Sequence, residues 1–386
     1  MSIFFDTQES LATTYELKFA NPSGVYLNPI DDYLSLVYSM VVGDIGEATL
    51  IVPGTYDKSY FVPDSKLEIW RKVGSYATHL EGDRVWFLRG LKTVVDDTGV
   101  KTYELRFKDS NELLKTRIIA YSDSTSYTVK ADNADDMMKA AVRENIGPSA
   151  VDTARINVNI SVDADLGLGV SITKDFARNV LIEVLKSIAE QSMQESIDSG
   201  NVLQAIFFDL VCTNPVSNTF VFRTFAGYRG NDRRSSTSQG VLIGPKYRNI
   251  GAYTIDEDWS EEVTYVYVGG AGEEDVRVIG TASDAARIGR SFIGRREGWI
   301  ESRDTVSQTA LNAEGDAWLI AHRPRRVVEA TFTDQPGSTY GVNLFLGDYI
   351  TFESDDLSLD MRLNAVTVTV GPSGEDKIDI ALRGNI

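Results

Sequence analysis

Two histidines, one cysteine and an excess of carboxylates set the chemistry open to these 386 residues. His79 and His322 stand far apart in unlike surroundings, so neither completes the spacing of a zinc site. His79 lies in the loop-like stretch Tyr76-Ala77-Thr78-His79-Leu80-Glu81-Gly82-Asp83. His322 closes a helical stretch beside Arg323 and Pro324, where a cation suits the helix end. A Ser-His-Asp or Cys-His set would need one of these two, and no Gly-x-Ser-x-Gly elbow accompanies either. Cys212 sits in the apolar run Phe207-Phe208-Asp209-Leu210-Val211-Cys212 and reads as a buried, inert thiol. No catalytic, cofactor-binding or metal-binding residue is assigned.

The acidic pairs Asp96-Asp97, Asp135-Asp136, Glu261-Glu262 and Asp355-Asp356 would each supply half of a glycosidase site, a chemistry needing two carboxylates roughly 5–10 Å apart. With 56 acidic residues such pairs arise by chance, and solvated charge is their ordinary fate. The run Gly269-Gly270-Ala271-Gly272-Glu273-Glu274 lacks the Lys-Ser/Thr of a phosphate loop and carries acid that repels phosphate, so it reads as a loop. Residues 223–234 form the one local basic cluster with interleaved aromatics, as nucleic-acid sites do. In a chain of net charge -18 its expected partners are carboxylates of its own domain or of a neighbouring subunit. The same charge argues against a duplex-binding surface, which needs clustered Lys and Arg. It does not exclude a protein that DNA passes through, since carboxylates lining a channel would keep DNA from adhering. Trp259 and Trp299 are candidates to stack on a sugar, against the commoner use of tryptophan in cores and interfaces.

The elements that must position these residues are mostly strands. The length suggests two to four domains, and 42% hydrophobic with 24% charged residues suits a chain folded throughout. No apolar run approaches the roughly 20 residues of a membrane span. The start Met1-Ser2-Ile3-Phe4-Phe5-Asp6 lacks a signal peptide's basic flank, so cytoplasmic assembly without stable membrane insertion is expected. Residues 33–42, the turn 43–46 and residues 47–52 read as a hairpin. Lys66–Val73, 85–95 and 100–107 add strands, the last two joined by Asp96-Asp97-Thr98-Gly99. A helix is predicted over Ala134–Asn145, capped by Asn133 and stopped by Gly147-Pro148. A second is predicted over about 175–191, with Ala177, Val180, Leu181, Val184, Leu185 and Ile188 on one buried face. Strand signals at 205–212, 220–225 and 264–269 suggest one further β element. A helix over 307–323 ends at Pro324, although Gly315 inside it weighs against it. Strands over 326–333, 348–352, 361–370 and 376–382 finish the chain, with Gly371 to Gly374 as a hairpin turn.

This pattern predicts a mainly β fold with an α+β insertion, in which two small β-barrel-like domains flank a mixed helical and β middle. The expected units are an N-terminal barrel-like domain (1–125), a helical insertion (126–200), a mixed β domain (201–304), a linking helix (305–324) and a C-terminal barrel-like domain (325–386).

Three blocks then carry a resemblance: residues 222–234 read with Phe207-Phe208-Asp209; Ser126-Tyr127-Thr128-Val129-Lys130 followed by residues 134–139 and 142–145; and Tyr340-Gly341-Val342-Asn343-Leu344-Phe345-Leu346-Gly347-Asp348-Tyr349-Ile350-Thr351-Phe352. In this order and spacing they resemble a siphovirus tail protein family related to baseplate hubs. The resemblance implies a non-enzymatic virion tail subunit, a homotrimeric hub whose paired barrel-like domains form a ring joining the tail tube to the tip. It implies a channel through which DNA or a tape-measure protein passes without specific binding. The implied partners are the distal tail or tail-tube protein, the tape-measure protein and tip or fibre proteins. No catalytic residue or cofactor carries over. The alternatives are a tail-associated peptidoglycan hydrolase and a host-saccharide receptor-binding module.

Overall fold

Alternation of apolar and polar residues builds the N-terminal half of the computed structural model, which describes residues 12–27, 29–120, 128–150, 152–176, 178–198, 200–303, 305–355 and 357–385. Its strands are β1 (Thr13–Ala20), β2 (Ser35–Val41), β3 (Glu47–Pro53), β4 (Lys66–Val73), β5 (His79–Leu80), β6 (Trp86–Val95) and β7 (Lys101–Asp109), followed by the short helix α1 (Glu112–Lys115). Leu36, Tyr38 and Met40 on β2, Ala48, Leu50 and Val52 on β3, and Tyr103, Leu105 and Phe107 on β7 are buried, while the residues between them face outward. The hairpins expected from the 43–46 and 96–99 turns are present; Asp96 fixes the second by accepting the backbone N–H groups of Thr98 and Val100.

The middle holds β8 (Thr128–Asn133), α2 (Ala134–Asn145), β9 (Ile160–Val162), β10 (Ser171–Phe176), α3 (Leu181–Asp198), β11 (Ile206–Asn214) and β12 (Thr219–Ala226). Asn133 has the extended backbone of a cap, but its side chain makes no capping bond. The helix expected from about residue 175 starts at Leu181 instead, because β10 pairs antiparallel with β8 and holds the backbone extended through Phe176. A partner so distant in sequence leaves no local signal. The predicted helix face survives this correction: Leu181, Val184, Leu185 and Ile188 pack with Met137, Met138, Phe208 and Phe222 in one core, while Ala177 lies outside the described residues.

Next come β13 (Asp232–Arg233), β14 (Leu242–Ile243), β15 (Ile250–Asp258), β16 (Tyr265–Gly269), β17 (Ile279–Ser283), α4 (Ala285–Ile288), β18 (Glu297–Glu301) and α5 (Gln308–Ala321). The stretch 201–304, read as one mixed β unit, is divided among three sheets by its pairing. β11 and β12 pair with β9, β13 to β15 join the C-terminal strands, and β17-β16-β18 form a sheet of their own. The 264–269 run therefore does not share a β element with 205–212 and 220–225. Val266 and Val268 pack on Leu311 and Leu319 of α5, a core separate from Phe208 and Phe222. Gly315 belongs in α5 after all. A Cβ there would lie 3.0 Å from Ala282 and 3.1 Å from Val268, so glycine lets the helix lie on the sheet without the shift a larger residue would require.

The chain ends in β19 (Arg325–Phe332), β20 (Tyr349–Ser354), β21 (Leu357–Val370) and β22 (Asp376–Asn385). Pairing of β2 with β21 joins the two strand-rich ends, giving the order β1-β4-β6-β7-β3-β2-β21-β22-β19-β15. Leu50 and Phe107 of the first half and Val366, Ile380 and Phe352 of the second lie in one continuous core on one side of this sheet. The mainly β class with an α+β insertion holds, and the flanking units are hydrogen-bonded to each other.

Candidate functional site

The other side of the long sheet is covered at β4 and the start of β6, where Trp70 and Phe87 pack against the core of Phe208 and Phe222, and carries polar rows farther across. Strand register places Lys108, Glu47, Ser39, Thr367, Asp379 and Thr331 opposite one another in a row across β7, β3, β2, β21, β22 and β19. Lys108 pairs with Glu47, Thr367 Oγ1 lies 3.0 Å from Ser39 Oγ, and Thr331 Oγ1 donates to Asp379 at 2.7 Å. The neighbouring row runs Val41, Ala365, Ala381, Glu329 and Thr254. A hollow of about 450 Å³ lies over the β15 end, lined by Ala252, Thr254, Glu329, Thr331, Ala365 and Asp379 among others. One of about 300 Å³ lies over the β6–β7 end and includes Glu47, Thr49, Arg89, Arg106 and Lys108. Small hydroxylated side chains, alanines and single charges of both signs make up this surface.

Behind this face, buried ions lock the halves together. Arg84 is fully buried, contacts Asp109, reaches Asp209 at 3.1 Å and donates to the Val41 carbonyl at 2.8 Å. Arg229 donates to Asp209 at 2.6 Å and to the Gly82 carbonyl at 2.8 Å, tying β11 to the 81–84 turn. Burial works to raise the Asp209 carboxyl, yet Arg84 and Arg229 hold it below the ordinary range; Asp109 is raised, burial outweighing Arg84. Arg71 on β4 donates to Tyr15 at 3.0 Å, to the Tyr340 carbonyl at 2.6 Å and to Asp376 at 3.1 Å, joining the first half to the start of β22. Glu81 accepts from Tyr38 at 2.8 Å and lies 3.0 Å from His79; burial pushes its carboxyl up, and His79 and Arg71 bring it below the usual range.

The residues singled out in sequence are spent on structure. The basic cluster pairs within the chain, as expected: Arg229 with Asp209, Arg233 with Asp348 at 2.9 Å, Arg234 with Asp232 at 2.7 Å and Arg223 with Asp163 at 3.3 Å. Asp135 binds Lys139 at 2.9 Å, Asp136 accepts the N–H groups of Leu166 and Gly167, and Glu262 takes Arg287, Arg290 and Arg296. Asp356 lies outside the described residues. His79 stands in β5, paired with β4, rather than in a loop; His322 Nδ1 lies 2.8 Å from the Trp318 carbonyl, its ring stacked on that indole. Cys212 is buried, and burial pushes its thiol up to about 12. Arg277 donates to the carbonyls of Gly269 and Gly270, closing the glycine-rich loop. Its guanidinium also sits 5.3 Å over the ring of Trp299, while Trp259 is 41% exposed. Among the described residues no group of three or more His, Cys, Asp or Glu is placed to hold a metal, and no helix is long and apolar enough to cross a membrane. The ionic junction was not anticipated, although Arg71 shares the inward parity of Leu67, Ile69 and Val73, a signal readable in sequence.

The architecture is that of phage tail proteins. The prophage MuSo2 43 kDa tail protein from Shewanella oneidensis superposes with a TM-score of 0.55 at 12% identity, covering 96% of this chain and 98% of that one. A tail protein from Neisseria meningitidis MC58 gives 0.54 at 10% identity, covering 96% and 97%, and the prophage tail protein gp18 from Listeria monocytogenes EGD-e gives 0.53 at 12%, covering 96% and 94%. No curated protein sequence matches. Residues 16–382 match the model of the siphovirus ReqiPepy6 Gp37-like protein family, and the chain belongs to that family. Its fold is shared with these three tail proteins.

Proposed function

We propose that this tail protein is a non-enzymatic hub subunit of the tail tip, three copies of which form a ring joining the tail tube to the tip. The uncovered face of the long sheet lines the opening, through which DNA or a tape-measure protein passes. The observation that carries this reading is the row from Lys108 to Thr331, which crosses both halves without an apolar cover. Its hydroxyls and its two carboxylates, Glu47 and Asp379, offer weak, reversible contacts, and acid repels a phosphate backbone. Two sheet halves in each of three copies would give six similar walls, a geometry suited to a sixfold tube. The partners are then the distal tail or tail-tube protein, the tape-measure protein and tip or fibre proteins, with assembly in the host cytoplasm. In this reading enzymatic work falls to other subunits; of the candidate acidic residues, Asp96 is engaged in a turn, Asp136 holds backbone N–H groups, and Asp135 and Glu262 are held in ion pairs.

Negative-stain imaging of the purified chain tests this. The expected result is a threefold ring with a central hole. Compact single copies at every concentration, together with clearing of a cell-wall gel that Asp or Glu replacement abolishes, would overturn it in favour of a hydrolase. Single copies that are retained on host cells would favour a saccharide-binding module.

A further inference from the structure

The long sheet has two open edges, and they differ in charge. β6 pairs with β7 over its whole length, but β4 meets it only at Trp86 and Phe87, so among the described residues no strand is registered on the second side of Arg89 to Val95. Among the described residues β15 pairs with β19 and with no strand beyond it. Unprotected strand edges of this length are templates for a further strand. The β6 edge carries Arg89 and Lys92, the latter 3.6 Å from Glu104 on the adjoining strand; the β15 edge carries Asp256, Glu257 and Asp258, of which Glu257 pairs with Arg326 and Asp258 stands opposite Arg325 on β19.

The faces match as well. Register puts Lys92 and Val94 on the uncovered side of the sheet, and Leu91 packs against the core on the other. On β15, Thr254 and Asp256 share the uncovered side, while Tyr253 and Ile255 lie toward the core side, where Tyr253 meets Phe352 edge-on at 5.8 Å. Val94, Val95, Tyr253 and Ile255 are each more than a third exposed, an unusual outlay of apolar surface for strand ends facing water.

We infer that the basic β6 edge of one copy pairs with the acidic β15 edge of a second copy, extending the sheet from subunit to subunit. The contact is head to tail, so each copy offers one edge of each kind and the chain of contacts closes into a ring when the rotation allows. Pairing sets Lys92 near Asp256 on the uncovered face and places Leu91 and Val95 beside Tyr253 and Ile255 on the other. This rests on the ring reading above and names its interface.

Sedimentation of the purified chain across a concentration series, with Lys92→Glu, Asp256→Lys and the two together, tests it. Both side chains are exposed, so each variant should fold, which its thermal melt reports. Each single reversal is expected to weaken self-association about 10- to 100-fold, and the double swap to recover it, since opposite charges then face each other again. Single variants that assemble like the wild type, or a double swap without recovery, would overturn this interface and leave the ring standing. A wild-type chain that stays monomeric up to about 100 µM would overturn the edge contact as a self-sufficient one.

Discussion

Arg84 and Arg89 stand a few residues apart and live in opposite regimes. The first is fully buried with Asp109, Asp209 and the Val41 carbonyl around it; the second is 45% exposed and pairs with Asp64. A buried charge persists only where partners are at hand, and here they come from the same chain, although Arg84 Nε and Asp209 Oδ1 are left without a hydrogen bond among the described residues. An exposed charge gains little from a single partner and remains available to a neighbour. The molecule thus divides its ions between an inner set that joins the first half of the sheet to the middle layer and an outer set of exposed pairs.

That contrast makes unequal predictions. Asp209→Ala removes the carboxylate shared by Arg84 and Arg229 and should cost about 3–5 kcal/mol in denaturant unfolding. The deficit should shrink in acid. The Asp209 carboxyl is held below its unfolded value, so its stabilisation is present above about pH 4 and is lost as pH falls through the folded value. A variant as stable as the wild type near pH 7 would remove the junction from the account.

Lys174 occupies an intermediate position. Its ammonium donates to Ser187 on α3, and burial lowers it to about 8 against the pull of Glu314 and Glu190. The folded state therefore favours neutral lysine. Wild-type stability should rise relative to Lys174→Met as pH climbs from about 8 to about 10.5. Near pH 7 the methionine variant should be the more stable by about 1–2 kcal/mol, the figure being held down because the side chain is only partly buried. Equal pH profiles for the two chains would show that this lysine is solvated.

The smallest effect belongs to the outer face. Glu47→Ala breaks the pair with Lys108, in which Glu47 is 70% exposed, and should change thermal stability by less than about 1 kcal/mol. A larger loss would mean that the face is structural rather than reserved for contacts.

The same division explains what the sequence reveals. β2, β3 and β7 alternate cleanly because one face of each is sealed in the core, and the helix face at Leu181, Val184, Leu185 and Ile188 follows from its spacing. β15 left no such pattern. Of its residues only Ile250 is buried, so no parity is imposed on Gly251 to Asp258. The pairing of β2 with β21 and of β10 with β8 joins segments far apart in the chain, and nothing local encodes it. The basic stretch 223–234 was legible as a cluster, and its acidic partners were predictable from net charge alone, but their identity was not. Asp209 was visible as a lone carboxylate in an apolar strand, the usual mark of a paired buried ion.

In the proposed ring the face carrying Ser39 and Thr367 looks into an enclosed opening. A Thr367→Cys chain tests it directly, since Cys212, the sole native thiol, is buried. In the assembled ring a small maleimide should label this position, while a maleimide on a polymer wider than the opening should not, and both should label dissociated subunits. Equal labelling of the assembled ring by the two reagents would place the face on the outside and contradict the account.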